Sequence, residues 1–583
     1  MNYRWSTLRR WIAVGYLGLL TVGVGLIGLV QAIPRFDEAY GVDGAANFAS
    51  VAIAMLLAAA TLVFLVVAPL TMLARVGFAA ALLLPTVAVG AITERVTWSG
   101  GMRPTLVLRG SGPNLDDDIP LRPEEVFTPM NAALLEPTPL DAVEYRGRRR
   151  DGWVEPAALP DGFPDLPQLP EVWRRDLGEG YAGIAVLGDF VITLDQMDTP
   201  RGSRERVLCL DDATGRTRWA VECGDRFSEP LGGVGPRSTP TIAGGRVFAF
   251  GAMGRLTAID LVSGEQLWAV DTLADLNIPP TTWGMASSPL VVGPPLVERE
   301  IVVVTLGGPN AVGAPDADRG FQGGNGLAFY DAADGTLLAK SDGDLNPFSP
   351  EDFKSGETEA NAAGYSSPML ARLDGVDLIL NYDGHGLRGH SLKDASVLFA
   401  FPWTNGPRVN VAQPLVLPDD RVFIGSSYGT GAAMLHITRG KSSRPDDWTI
   451  DPLWTTSKMR LKFTSPVYRA GYLYGLDGGI LACLDATDGR RVWKRGRYGH
   501  GQLLLAGDVL VVQTEEDGSL VGVAADPKRH RELFRQRLFD SVRVWNPPTA
   551  ANGAFYLRDH REIVKLGGRE TLDNTDTASL RDE

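Results

Sequence analysis

Hydrophobic and polar positions alternate on two scales along this chain. The first 95 residues hold three apolar runs, at 11–33, about 46–68 and about 76–92, and the first carries no charge. A membrane-crossing helix needs about 20 apolar residues, so the runs are read as three transmembrane spans within a segment 1–95. Pro69 and Arg75 separate the second run from the third. The first run lacks a small-residue cleavage site, and two more runs follow it, so a removed signal is the poorer reading. From Val172 onward the scale shortens to brief alternating runs. GDFVITLD at Gly188, GGRVFAFG at Gly244, GYLYGLDG at Gly471, GDVLVVQT at Gly507 and NGAFYLRD at Asn552 share one shape. The Gly-containing pair makes a hairpin turn, and the alternating run behind it is a half-buried strand.

A longer pattern is superposed on these strands. LDDATGRTRW at 210–219, IDLVSGEQLW at 259–268 and LDATDGRRVW at 484–493 are copies of one motif, and YDAADGTLLA at 330–339 is a degraded copy. Self-similarity at such a period marks a repeat architecture. Asp-x-x-[Thr/Ser/Asp]-Gly is the turn of a second hairpin, and Trp lies on its outer strand. A third piece precedes each unit: RSTP at Arg237, SSP at Ser287, YSSP at Tyr365, AQP at Ala412, TSP at Thr464 and NPP at Asn546. Proline suits the first residue of a strand, where a missing N–H costs no ladder bond.

The three pieces give four strands per unit. The outer-strand positions are Trp219, Trp268, Ala339, Phe399, Trp454, Trp493 and Phe534, and the last unit stops after three strands. An orphan strand with Trp173 precedes the first unit. If Trp173 completes the last unit, the chain forms an all-β, eight-bladed propeller closed by its two ends, over residues 171–566. Closure leaves only short, protected edges. A large aromatic buries on the order of 150–250 Å² between blades, so Trp173, Trp219, Trp268, Phe399, Trp454, Trp493 and Phe534 are read as blade-docking residues.

Charge and composition narrow the function. Asp and Glu outnumber Lys and Arg by 70 to 56, for a net charge of -14, so no basic stripe is available for nucleic-acid phosphates. Arg4, Arg9 and Arg10 precede the first apolar run, whereas the following loop sets Arg35 against Asp37, Glu38 and Asp43. Under the positive-inside rule the N-terminal tail is cytoplasmic. Three spans then deliver the large domain outside, at the inner membrane of a bacterium with the propeller in the periplasm. The expected partners are the lipid bilayer and another membrane or envelope protein. Residues 96–170, rich in Pro and Arg, read as a linker packing on the propeller, and 567–583 as a disordered tail. Two polar insertions, 307–326 and 341–363, read as surface loops. Cys209, Cys223 and Cys483 read as small buried residues.

The Asp-x-x-Thr-Gly-x-x-x-Trp copies resemble the tryptophan-docking repeats of pyrroloquinoline quinone (PQQ)-type eight-bladed propellers. That superfamily includes quinoprotein alcohol and glucose dehydrogenases and the non-enzymatic assembly lipoprotein BamB. The order of motifs is more closely similar to bacterial PQQ-binding-like β-propeller repeat proteins. It includes Tyr145-Arg146-Gly147-Arg148-Arg149-Arg150-Asp151-Gly152 ahead of the ring, then GPRSTP, TWGMASSP, GYSSP, RYGHGQL and VWNPP. The resemblance covers roughly 145–566. It implies that PQQ with Ca²⁺ is a possible cofactor. Quinoprotein dehydrogenases hold that ion through Glu, Asn and Asp, and the alcohol dehydrogenases add a pair of adjacent cysteines. No adjacent cysteines occur here and no stretch aligns with the Ca²⁺ set, so no catalytic or metal residue is carried over.

The positions just ahead of the innermost strands should face the axial funnel: Arg237, Trp283, Tyr365, Asn410, Lys462, His500 and Trp545. Cations beside aromatic faces suit an anionic planar ligand. Two functions follow. One is a membrane-anchored, non-catalytic binding or assembly scaffold. The other is a membrane-bound quinoprotein dehydrogenase oxidising an alcohol or sugar.

Overall fold

A computed structural model describes residues 135–567 except 200–201, 277, 308–325, 342–362, 443 and 541–542. It also describes parts of the first 108 residues, chiefly 19–27, 45–67, 91–99 and 104–108. Most of each insertion, and the tail from 568, lie outside the described residues. The chain divides into two compact units, 1–112 and 113–583.

In the first unit, helix is described at 19–27 and at Ala45–Val67. Tyr16 stacks on Phe64 at 4.1 Å and shares a 2.6 Å hydrogen bond with Thr61. Ala45–Val67 has 23 residues and no charge, but its side chains are described only at 49–61, 63 and 64. Among the described residues no helix is long and apolar enough to cross a membrane. The expected three-helix transmembrane segment, with spans at about 11–33, 46–68 and 76–92, is therefore not supported. Most of 76–92 lies outside the described residues. Residues 91–92 lead directly into a hairpin in which Thr93–Trp98 pairs with Pro104–Leu108.

The second unit is the ring. Seven four-stranded antiparallel meanders follow one another, beginning at Ala185, Thr241, Leu290, Met369, Leu415, Val467 and Gln502. They are blades 1 to 7 below. The eighth has three late strands, Thr549–Ala551, Ala554–Arg558 and Glu562–Gly567, and takes its outer strand, Glu171–Asp176, from the start of the domain. Lys565 stands opposite Trp173 in that antiparallel pair. The expected eight-bladed closure is thus present, with the two ends of the propeller hydrogen-bonded in one sheet.

The recurrent tryptophans join neighbouring blades. Each indole N–H donates to a carbonyl in the motif of the next blade: Trp173 to Asp212 at 2.8 Å, Trp219 to Leu261 at 3.0 Å, Trp268 to Ala332 at 3.1 Å and Trp454 to Ala486 at 3.1 Å. The motif glycine is there for the same contact. Gly215 sits at φ +70°, and a Cβ on it would lie 2.7 Å from the Trp173 ring. Between blades 3 and 4 both halves change together. Ala339 replaces the tryptophan and Ala395, at φ 59°, replaces the glycine, and the two pack in one cluster. Ser341 Oγ completes this junction by donating to the Ala395 carbonyl at 2.9 Å. Phe399 packs on Trp448 at 5.2 Å. Phe534 meets Phe163 edge-on at 5.7 Å.

A polar belt runs round the axis where the innermost strands begin. Pro240, Pro289, Pro368, Pro414, Pro466 and Pro548 each stand immediately before such a strand, as their missing N–H requires. The residues beside them bond from blade to blade. The Thr239 N–H donates to Ser288 Oγ at 2.9 Å, Ser288 N–H to Ser367 Oγ at 2.9 Å, Ser367 N–H to Gln413 Oε1 at 3.2 Å and Gln413 N–H to Ser465 Oγ at 3.0 Å. Gln502 Nε2 then reaches the Phe463 and Trp545 carbonyls, and Asn546 Nδ2 the Ala182 carbonyl. The recurrent Ser/Thr-x-Pro piece is therefore a circumferential hydrogen-bond relay.

The segment ahead of the ring enters the axial channel. Its approach is marked by the Asn552 N–H donating to the Leu140 carbonyl and the Gly188 N–H to Asp141 Oδ1. Both glycine-bearing turns lie at the end away from the belt. Ala142 then bridges Val186, and the Ile242 N–H donates to Val143. On the way out, Trp153–Val154 pairs in parallel with Gln502–Ala506 as a fifth, innermost strand of blade 7. Residues expected to form part of a linker on the propeller surface thus run inside it. Between the two limbs, Arg150 donates through Nε to Glu144 at 2.7 Å, and through its terminal nitrogens to the Pro368, Ser288 and Pro289 carbonyls. Arg146 donates to Leu503 at 2.8 Å and Pro466 at 2.9 Å. Arg150 and Arg146 are 2% and 5% exposed. A cavity of about 290 Å³ remains beside this loop, bounded by Glu144, Arg146, Trp153, Leu504 and Thr549 among others.

Candidate functional site

The opposite end of the channel carries the funnel residues. The linkers between blades place them: each outer strand of one blade hands over to the inner strand of the next, and the last residues before that strand crowd the axis. Arg237 is held by its own loop, with terminal nitrogens donating to the Gly235 carbonyl and, at 2.8 Å, to Gly232. Its guanidinium lies 4.5 Å from the Phe227 ring and 5.4 Å from Tyr181. Burial lowers its pKa, and the charges of Tyr181 and Glu205 oppose that shift. Tyr181 stacks on Trp545 at 5.0 Å and accepts from Arg543 at 2.7 Å. The Trp545 indole donates to Glu515 Oε1 at 2.7 Å, while Glu515 Oε2 accepts from the His500 N–H at 2.8 Å. Phe463 lies 5.0 Å from Trp545 and 5.9 Å from His500. The Lys462 ammonium lies 5.5 Å from the Tyr428 ring.

Trp283 and Tyr365 continue the arc. Their rings are 5.9 Å apart, and Tyr365 Oη accepts from the Trp283 N–H at 3.3 Å. A Cβ on Gly232 would touch both Trp283 and Arg237, so that residue must be small for the two to share one surface. Asn410 is placed differently. It is fully buried, donates to the Asp383 and Trp403 carbonyls, and accepts from Ser426 and Asn405. It supports Tyr365, whose N–H donates to its carbonyl. Six of the seven expected residues therefore form one cationic and aromatic wall, with Asn410 behind it.

Sequence reading did not single out Tyr181, Phe463, Arg543 or Glu515. Tyr181 carried a signal: it precedes Ala185 by the interval that separates Arg237 from Thr241 and Trp545 from Thr549. Glu515 comes from a loop between the second and third strands of blade 7 and has no such register. Glu205 lies behind the wall, wholly buried, with Oε2 accepting from the Ala252 N–H at 3.0 Å and Oε1 unpartnered. Burial raises its pKa from the ordinary 4.5 to about 8, against the bond from Ala252 and the charge of Arg237.

The oxygens of this site do not fit a Ca²⁺–quinone cage. A hard cation of that size takes six to eight oxygen ligands. Both Glu515 oxygens and the Asn410 oxygen already accept protein donors. Among the described residues no group of three His, Cys, Asp or Glu is arranged to hold a metal. Cys209, Cys223 and Cys483 are separate, buried thiols.

Two stretches, 170–291 and 280–495, match a family model described as outer membrane protein assembly factor BamB. No curated protein matches the chain. Among solved structures, BamB from Moraxella catarrhalis is similar at 13% identity and a TM-score of 0.44, covering 69% of this chain and 98% of that one. A europium-containing methanol dehydrogenase matches at 13% identity and a TM-score of 0.43, over 75% and 100% of the two chains. A quinohemoprotein alcohol dehydrogenase from Comamonas testosteroni matches at 12% identity and a TM-score of 0.40, over 75% and 84%.

Proposed function

The chain belongs to the family described as outer membrane protein assembly factor BamB, and from that premise we propose that it is a non-catalytic binding and assembly scaffold. The observation that carries this reading is the state of the funnel wall. Arg237 is bonded to its own loop and layered on Phe227, and Trp545 is bonded to Glu515, which leaves a preformed surface rather than reactive groups in search of partners. An anionic, planar group suits a guanidinium flanked by aromatic faces.

The apolar segment 1–95 anchors this scaffold in a bacterial cytoplasmic membrane, with the ring on the periplasmic side. The apolar runs and the arginines before the first run support that placement. Its partners are then the bilayer and another membrane or envelope protein.

Equilibrium binding of PQQ with Ca²⁺ to the detergent-solubilised full chain, followed by dye reduction with alcohols and sugars, separates scaffold from dehydrogenase. The scaffold reading expects no turnover; steady reduction dependent on PQQ contradicts it. Alkaline phosphatase fused after Glu583 should be active in cells, and an inactive fusion overturns the outward placement.

A further inference from the structure

The outer wall of blades 6 and 7 carries a concentration of cations that runs against the charge of the whole chain. The outer strand of blade 6, Arg491–Arg497, is the last in its sheet and is hydrogen-bonded on one side only. At Gly496 it passes directly against the next blade: the φ is +74°, and a Cβ there would lie 2.7 Å from His530 Nε2. Arg495 and Arg497 flank that glycine. Lys528, Arg529 and Arg531 flank His530 in the loop opposite. The loop is fixed by the Trp493 indole donating to the Asp526 carbonyl at 3.0 Å and by the Lys528 N–H donating to Asp526 Oδ1. All five cationic residues are exposed, and among the described residues none of them has an ion pair. Burial lowers the His530 pKa, Glu532 opposes the shift and Arg495 adds to it.

Other outer strands do not look like this. Arg218 pairs with Asp211, Arg174 with Glu171 and Glu562, Arg535 with Asp517 and Glu532, and Arg537 with Asp540. Arg491 and Lys494, on the same strand as the patch, share Asp477. Edge strands gain protection from isolated charges, but mutually repelling, unpaired guanidinium groups at one junction exceed that need. Arginine forks match carboxylates in two parallel hydrogen bonds, and an unpaired strand edge accepts an extended chain.

The geometry points to this edge as the docking site for an extended acidic protein segment, its backbone along Arg491–Arg497 and its carboxylates on Arg495, Arg497, Lys528, Arg529 and Arg531. This inference stands apart from the funnel and does not depend on where the chain resides. Fluorescence anisotropy of a labelled oligoglutamate peptide with the detergent-solubilised full chain tests it. Binding is expected at low salt, weakening by roughly tenfold or more in Arg495→Glu/Arg529→Glu. The charge-matched Lys393→Glu/Lys441→Glu, on exposed turns of blades 4 and 5, should leave it unchanged. Unchanged thermal unfolding of both variants confirms that the ring is intact. Absence of binding, or equal weakening by both pairs, overturns the proposal. So does tighter capture of inorganic tripolyphosphate than of oligoglutamate, which would make the patch a phosphate site.

Discussion

The two ends of the axial channel use arginine in opposite ways. Arg146 and Arg150, carried in from one end, are enclosed at the belt, and their guanidinium groups donate to the Leu503 carbonyl and to the Pro466, Ser288 and Pro368 carbonyls just ahead of innermost strands. At the other, Arg237 lies at a partly exposed wall, bonded to its own loop and layered on aromatic rings. The same residue type is a pin in one place and part of a partly exposed aromatic wall in the other. The difference lies in what surrounds it. A ring of eight blades converges many first-strand carbonyls on the axis, and a guanidinium with five donors can satisfy several at once. The carbonyls that Arg150 and Arg146 reach include Ser288, Pro289, Pro368 and Pro466 of the Ser/Thr-x-Pro belt, whereas Arg237 bonds to Gly232 and Gly235 of its own loop.

That contrast can be broken by mutation. Arg150→Ala strips donors from three buried carbonyls and leaves the half-buried Glu144 without its partner, so it should cost about 3 kcal/mol. Thermal unfolding of the full chain reads this, and a loss no larger than that of Arg237→Ala would erase the distinction. Trp219→Ala removes a docked indole whose N–H is bonded to Leu261; the expected loss is about 3 kcal/mol, seen as a lower unfolding midpoint. Ala339→Trp tests the paired change at blades 3 and 4. Ala395 stands where a docked indole meets glycine elsewhere, so restoring the repeat tryptophan should destabilise by about 2 kcal/mol through overpacking. Stabilisation would show that the two alanines are not matched.

Glu205→Gln sharpens the comparison through pH. The folded carboxyl titrates near 8 and the unfolded one near 4.5. The native state therefore holds its proton more tightly, and stability fully present below about 4.5 is lost as pH rises toward about 8. About 1.4 kcal/mol is at stake for each pH unit of that window. Denaturant titrations across the window should slope in the native chain and lose that slope in Glu205→Gln. Arg237→Ala should have the smallest effect on stability, about 1 kcal/mol, since its bonds are to its own loop.

Much of the ring was legible in sequence because one physical demand recurs in every blade. Trp173 could be assigned to the last sheet because a propeller must close, and the prolines mark strand starts because they lack an N–H. The funnel was legible by register, and Tyr181 obeyed the same register at the first blade. Asn410 occupied the right position but the wrong environment: four hydrogen bonds hold it in the framework, and spacing does not report burial. The inserted loop was the least legible. Residues 139–155 have no period of their own, since their strand partners belong to blades 1, 2 and 7, far away in sequence. Arg146 and Arg150 read as surface charge until the carbonyls that receive them are seen.

Hydrogen exchange tests the inserted loop most directly. The Val186, Ile242 and Leu505 amides lie on innermost strands and donate to Ala142, Val143 and Gly152. With the loop seated in the channel, all three should exchange slowly in the native chain and rapidly in Arg150→Ala. Fast exchange in the native chain, at the rate of exposed turn amides, would contradict a channel filled from one end by this loop.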